Sequence, residues 1–542
     1  MASIDKVDNV AKASIASINA IPAGNIQAVN KVPWVSPPQP FVMNIDTTAL
    51  TAQTMQLGLT GTGTYNFDVD WGDGSAVQTI TSATDPNRIH VYAASQPYTI
   101  TLTPNAPTGL VEYNFGNFAS PNNEKEAYTE IVSWGGMTIT LQTTGLFREC
   151  RNLNWDTATA GIPLFKSRVI GANNLFRDCD SLTADLSGWG TVADPIQGNL
   201  SNLFNLSSPP SSPNFNWVAN SVTAVNSAFT VTTYNAPLDN WNTTGVTNFQ
   251  RVFSNNAVFN QDISSWDLSS ATIMNSMFDG AQAFNQDISS WTIPNAVTDF
   301  SRIFNNANTF NQPLDSWNVA GVTNMQSAFQ GANSFNQDLN SWDVSSVTTM
   351  NSMFYQATNF DGNVSSWNTG NVLAMSRMFR QTAKSGGLDA WDVSSCDNFR
   401  EMFFNASSFS GALSTWNTSA GVLFNSMFEG CPNTLLDGRN WNVQNGANFT
   451  KMLFHPSIGF PLNLWQVYSA LNMTQMCSTG FTDQQCEDAF VAWSNDPLTA
   501  TNVNATLIWG TRTYPIGGAM QVATNKLVGA TYRWTITGLT FV

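Results

Sequence analysis

Three aspartates in "DVDWGDGS", Asp68, Asp70 and Asp73, have the spacing best suited to metal chemistry in this sequence. Alternating carboxylates in a turn are how a calcium loop gathers hard oxygen ligands, but position 79, where such a loop needs its bidentate Glu, is Thr. The aspartates therefore read as turn formers. The two histidines offer little more: His90 sits in an H-x-Y strand and His455 precedes Pro456 with no partner identifiable in the sequence. Cysteines at 150, 179, 396, 431, 477 and 486 show no paired CxxC spacing for zinc, and Cys477 and Cys486 leave a disulfide open. No nucleophile elbow, HExxH, Walker loop or Rossmann fingerprint occurs. Carboxylates such as Asp262 and Asp267 do lie close together, but the same pairing recurs along the chain. A catalytic pair needs two unlike environments that push its pKa values apart, and a repeat offers one environment many times. The expectation is a non-enzyme with no catalytic residue, no cofactor and no metal site.

What must position these groups is a repeat. The string FNQDISSW occurs at 259–266 and again at 284–291. From Trp241, tryptophans fall at 266, 291, 317, 342, 367, 391, 416, 441 and 465, and phenylalanines keep step at 253, 278, 304, 329, 354, 379, 403 and 428. A period of this size means supersecondary units that each touch only their neighbours. In the unit Leu339 to Asn363, Leu339, Trp342 and Val344 follow an L-x-x-L-x-L strand pattern. Val347, Met350, Met353, Phe354 and Ala357 then have the spacing of one face of a short helix. Thr323 and Thr348 stand where such helices would be capped, and the glycines of FDGA, FQGA and FEGC where they would end. The methionines Met274, Met277, Met325, Met350, Met353, Met375 and Met378 share that buried phase, which makes them core filler and not a soft-metal box. Cys150, Cys179 and Cys431 take the place of alanines in other units and read as small hydrophobes.

Composition narrows the partners. A net charge of −16 and the absence of any Lys/Arg run argue against nucleic acid or an anionic membrane. No segment approaches the roughly 18 apolar residues of a membrane span. Residues 1–35 carry I-x-x-[VI]-[ND]-x-[VI] three times at a period of 11, too small to bury their own apolar face. Ile4, Val7, Val10, Ile15, Ile18, Ile21, Ile26, Val29 and Val32 thus form an expected docking arm. A proline-rich linker, 36–40, follows. Residues 41–139 begin with β patterning, and the sequence from "DVDWGDGS" through "HVYAASQPYTITL" resembles the PKD-like Ig sandwich family over about 60 residues.

The repeat, W-D-V-S-S-V-T-x-M-x-x-M-F-x-x-A-x-x-F-N-Q-D-[IL]-S-S-W, resembles the BspA-like leucine-rich repeat family across 140–510, with 511–542 as a terminal cap. The resemblance implies a β/α leucine-rich-repeat solenoid, behind a β-sandwich and a short docking arm, used for adhesion or assembly. Exported members carry a leader or a lipoprotein cysteine. This sequence has 11-residue repeats there instead, which look like those of tailed-phage virion proteins. The resulting expectation is a virion surface protein (a fibre, spike or capsid decoration) docked to other virion proteins through 1–35, in symmetric or homo-oligomeric copies. The alternative is a bacterial cell-surface adhesin of the BspA-like type. In a leucine-rich strand the residues between buried positions face the concave side. That makes Ser265, Asp267, Ser316, Asn318, Ser341, Asp343, Ser366, Asn368, Asp392 and Asn417 the candidate binding face for a host-surface glycan or protein.

Overall fold

A computed structural model gives the fold; it describes residues 219–431 without a break, and most of 39–218 and 436–541. Residues 1–38, with the expected docking arm and most of the linker, lie outside the described residues, as do His455 and Cys477.

Alternating apolar residues build the N-terminal sheets. In β1 (Phe41–Asp46), Phe41, Met43 and Ile45 are fully buried while their neighbours are half-exposed. The strands that follow are β2 (Thr54–Gln56), β3 (Phe67–Asp70), β4 (Gln78–Ile80), β5 (Ile89–Val91), β6 (Pro97–Pro104), β7 (Tyr128–Ser133), β8 (Thr138–Ile139), β9 (Asn154–Trp155), β10 (Leu164–Phe165), β11 (Ile196–Asn199) and β12 (Ala219–Ala224). One mixed sheet has the order β4-β3-β6-β1-β7-β9, while β2 pairs with β5, β8 with β10 and β11 with β12. Because β9 runs parallel to β7, the N-terminal sheet extends directly into the repeats. Among the described residues α-helices run over α1 (Glu124–Ala127), α2 (Asp483–Asn495) and α3 (Ala519–Val528), beside short 3-10 turns such as Pro86–Arg88. β13 (Thr506–Tyr514) and β14 (Thr535–Phe541) form a parallel pair near the C-terminus.

The expected β/α leucine-rich-repeat solenoid is overturned. Neither the strand at 339–344 nor the helix at 347–357 forms, and residues 241–431 contain no helix and no strand longer than an isolated bridge. Each repeat is instead a rung of tight turns. Parallel single-residue bridges join Asn324 to Thr349, Thr349 to Ala374 and Ala374 to Asn398, inside the segment where a helix was expected.

The backbone hydrogen bonds explain the change. The N–H groups of Ser352, Phe354 and Gln356 donate to the carbonyls of Ser376, Met378 and Arg380 in the next rung, at 2.7, 3.0 and 2.9 Å. Those of Met353, Tyr355 and Ala357 close local turns onto Met350, Ser352 and Phe354, at 3.1, 3.2 and 2.9 Å. Alternate donors thus point across the stack and along the chain, so the six amides from 352 to 357 are satisfied without a helix. Two residues per rung take left-handed φ to make this possible: Ser352 at 58° and Gln356 at 59°, with Ser276 and Gly280, or Asn306, in the same places elsewhere.

This geometry inverts a usual substitution effect. In a helix Ser352→Gly would cost about 0.5–1 kcal/mol, whereas at a left-handed position glycine relieves strain and should stabilise by a similar ~0.5–1 kcal/mol. Urea unfolding of the variant reads the sign directly, and a loss of stability would argue for a helix.

Between rungs the core is a set of aromatic columns. Trp342 lies 6.4 Å from Trp367 at 4° between planes, Phe354 lies 5.7 Å from Phe379 at 6°, and Phe335 lies 5.9 Å from Phe360 at 6°. From Trp266 to Trp465 each indole N–H of the column donates to a carbonyl of the preceding rung: Trp342 Nε1 to that of Leu314 at 2.8 Å and Trp367 Nε1 to that of Leu339 at 2.7 Å. The methionines of the repeat are buried as well.

The columns are closed at both ends. At the start, Phe147 stacks between Phe115 of the N-terminal region and Phe176, both 5.3 Å away. At the far end α2 covers the last rungs, where Trp493 Nε1 donates to the Trp465 carbonyl at 3.1 Å.

Candidate functional site

The turn of "DVDWGDGS" is occupied by its own hydrogen bonds. Asp70 accepts from the Gly72 N–H at 2.9 Å and Asp73 from the Ser75 N–H at 3.0 Å, while Thr79 Oγ1 donates to Asp68 at 2.6 Å. The threonine noted at 79 in place of a calcium-binding Glu therefore ties down the first aspartate. His90 Nε2 lies 2.7 Å from Asp73, and its ring stacks on Trp71 at 4.9 Å. Desolvation would raise the Asp73 carboxyl, but hydrogen bonds from Ser75 and His90 outweigh it and bring its pKa down to about 2. No group of three metal-ligating side chains comes together among the described residues. Burial pushes the Cys150, Cys179 and Cys396 thiols up, the last to about 12, which suppresses the thiolate that redox or nucleophilic chemistry needs. Among the described residues no helix is long and apolar enough to cross a membrane.

The candidate face is brought together: four rungs each contribute a pair of its residues, and Asp392 and Asn417 come singly from two more. Nine of its ten residues are exposed and Asp267 is half-exposed, while the tryptophan between each pair is buried. These short polar side chains also do structural work. Asp267, Asn318, Asp343, Asn368, Asp392 and Asn417 each accept from the N–H two residues on, closing a turn, as in Asp343 with Ser345 at 3.0 Å. The serines fasten one rung to the previous one: Ser316 Oγ donates to the Ser289 carbonyl at 2.8 Å and Ser341 Oγ to the Asp315 carboxylate at 2.7 Å. Hydrogen bonds from Ser269, Ser345 and Ser394 hold Asp267, Asp343 and Asp392 below the usual carboxylate range, so the column stays negative at neutral pH. Asp343 and Asp392 each receive the backbone N–H and the side chain of the serine two residues on. Both carboxylates are exposed, which leaves them within reach of hydroxyl or amide donors of a ligand.

A second ladder escaped sequence reasoning, although its signal was present in every FNQD string. The Asn285 N–H donates to the Asn260 side chain at 2.9 Å, the Asn311 N–H to Asn285 at 2.9 Å and the Asn336 N–H to Asn311 at 2.9 Å. Gln286, Gln312 and Gln337 reach back to the same asparagines. Identical amides at identical positions let each rung satisfy the next. Beside this ladder a cleft of about 190 Å³ opens between two rungs, lined by Asp262, Ser264, Gln286, Asp287, Ser289 and Ser290. It is below the ~300–1,000 Å³ of enclosing small-molecule sites, so it suits contact with part of a larger ligand.

The model of a family described as "Mycoplasma protein of unknown function, DUF285" matches residues 198–296, 294–386 and 381–489, together more than half of the chain. No curated protein and no solved structure matches.

Proposed function

The chain belongs to the DUF285 family, and from that premise we propose that it is a non-enzymatic surface protein of a tailed-phage particle. In this reading it docks through residues 1–35 and uses its repeated polar column to hold a glycan or protein of the host surface. The observation that carries the adhesive role is a short polar pair flanking a buried tryptophan, Ser with Asp or Asn at 265/267, 316/318, 341/343 and 366/368, at the same place in each rung. A ligand that is itself repetitive engages such a column at several points, and the contacts add as avidity although each is weak. The placement on a particle draws on the 11-residue repeats of the N-terminus.

The match to a family named for a bacterium favours a second reading, a bacterial cell-surface adhesin of the BspA-like type. Immunogold electron microscopy separates the two. Antibody against this chain should decorate purified particles, and deletion of 1–35 should abolish the labelling while leaving the repeats folded. Labelling confined to the cell envelope would replace the first reading with the second, and labelling of neither would remove both.

A further inference from the structure

We infer that a cluster of arginines in two adjacent rungs, made of residues other than those of the Ser and Asp/Asn column, is a binding site for an anionic glycan. The chain carries 21 Lys and Arg against 37 Asp and Glu, yet three guanidinium groups converge on one carboxylate, that of Glu401. Arg377 Nε donates to it at 3.0 Å and Arg400 Nε at 2.9 Å, and Arg380 Nη1 completes the set. Glu401 is nine-tenths buried and neutralises one of the three, which leaves two positive charges on a protein of net charge −16. Arg377 and Arg400 remain 40% and 48% exposed. Both Nη groups of Arg400, and Nη1 of Arg377, have no protein acceptor among the described residues.

Folding does not require this cluster. Glu401 occupies the left-handed position filled by Ser327, Ser352 and Ser426 in other rungs, and those rungs stack in the same way. A carboxylate there, with three arginines around it, is therefore chemistry added to a stack that forms with serine.

The surroundings indicate the ligand. Free guanidinium N–H groups pair with the flat oxygen edges of carboxylate or sulfate, often through two parallel hydrogen bonds. Arg380 lies over the rings of Tyr355 and Phe404, at 5.3 and 4.2 Å to the centroids, which fixes it and leaves both rings half-exposed beside the charges. Half-exposed rings next to fixed cations suit an acidic sugar, whose ring packs on an apolar face while its anionic group meets the arginines. An acidic protein is the poorer fit, since a protein hot spot needs a large, dry apolar centre that this patch lacks. The inference is independent of where the protein is displayed.

The test is calorimetric titration of the full chain with a heparin-type sulfated oligosaccharide and its desulfated counterpart, at about 50 mM salt where screening is weak. The sulfated probe should bind at least about tenfold more tightly than the desulfated one, which keeps only its uronate carboxylates. The double variant Arg377→Gln/Arg400→Gln keeps Arg380 to neutralise Glu401, and should bind at least about tenfold more weakly, about 1.4 kcal/mol, with an unchanged unfolding midpoint. Arg439→Gln, which removes an exposed arginine paired with Asp437, should leave affinity unchanged. Absence of binding by the unmodified protein to this probe and to a sialylated one would overturn the inference. So would equal affinity in the double variant, or an equal loss in Arg439→Gln.

Discussion

Phe354→Ala is expected to destabilise the protein by about 3–5 kcal/mol, the range for deleting a fully buried aromatic ring. The Phe354 ring lies 5.5 Å from Phe329, 5.7 Å from Phe379 and 3.8 Å from Phe360, all in stacked arrangements, and it has no exposure to solvent. A cavity there cannot be refilled cheaply. The flanking phenylalanines are held at their own rung spacing by backbone hydrogen bonds, so closing the gap on one side would break the ladder on that side. Because each rung contacts only its neighbours, the loss should also appear locally, as faster proteolysis near residues 350–360 before global unfolding. Urea unfolding followed by tryptophan fluorescence measures the total. Thr358→Ala, an exposed change in the same rung, serves as the reference and should stay within about 0.5 kcal/mol. A loss below about 1 kcal/mol for Phe354→Ala would mean that the column does not carry the fold.

Gly362→Gln should destabilise by about 2–3 kcal/mol, although the repeat pattern argues the reverse. Gln261, Gln286, Gln312 and Gln337 fill the equivalent place after Phe-Asn, so restoring glutamine looks like a consensus repair. In the structure a Cβ on Gly362 would strike the backbone carbonyl oxygen of Gln337 in the rung before, with the carbonyl carbon at 2.8 Å. A backbone atom cannot swing aside as a side chain does, so the rungs must separate, and overpacking of this kind typically costs ~1–3 kcal/mol. Lys384 marks the local difference. It is buried where other rungs have their second phenylalanine, and it donates to the Gly362 carbonyl at 3.2 Å and to Asp361 at 3.3 Å. A glutamine variant as stable as the parent, or more so, would show that this rung relaxes to the common form.

The sequence made parts of this legible and misled on others. The buried set was readable: the tryptophans from 266 to 465, the methionines and the paired phenylalanines are all inside, because a period near 25 with constant side-chain types leaves few other ways to hide them. The candidate column of Ser265 through Asn417 was readable as a surface, since it alternates with that buried set, but its work in closing turns was not. The arginine cluster escaped because Arg377, Arg380 and Arg400 are scattered along the chain, and only the stacking of two rungs brings them onto Glu401.

The backbone path was the main miss. Val347, Met350, Met353, Phe354 and Ala357 satisfy the spacing of a helix and of a double turn equally well. The glycine at 280, 331 and 430 looked like a helix end, yet it is the second left-handed residue of a turn that continues, as are Asn306 and Asn405 in other rungs. Which side chains are hidden follows from periodic apolarity along one chain, and no fold is needed to read it. How the chain bends between them depends on where its amides find acceptors. Half of the acceptors for this segment lie about 25 residues away, in a neighbouring rung that comes within reach only once the rungs have stacked.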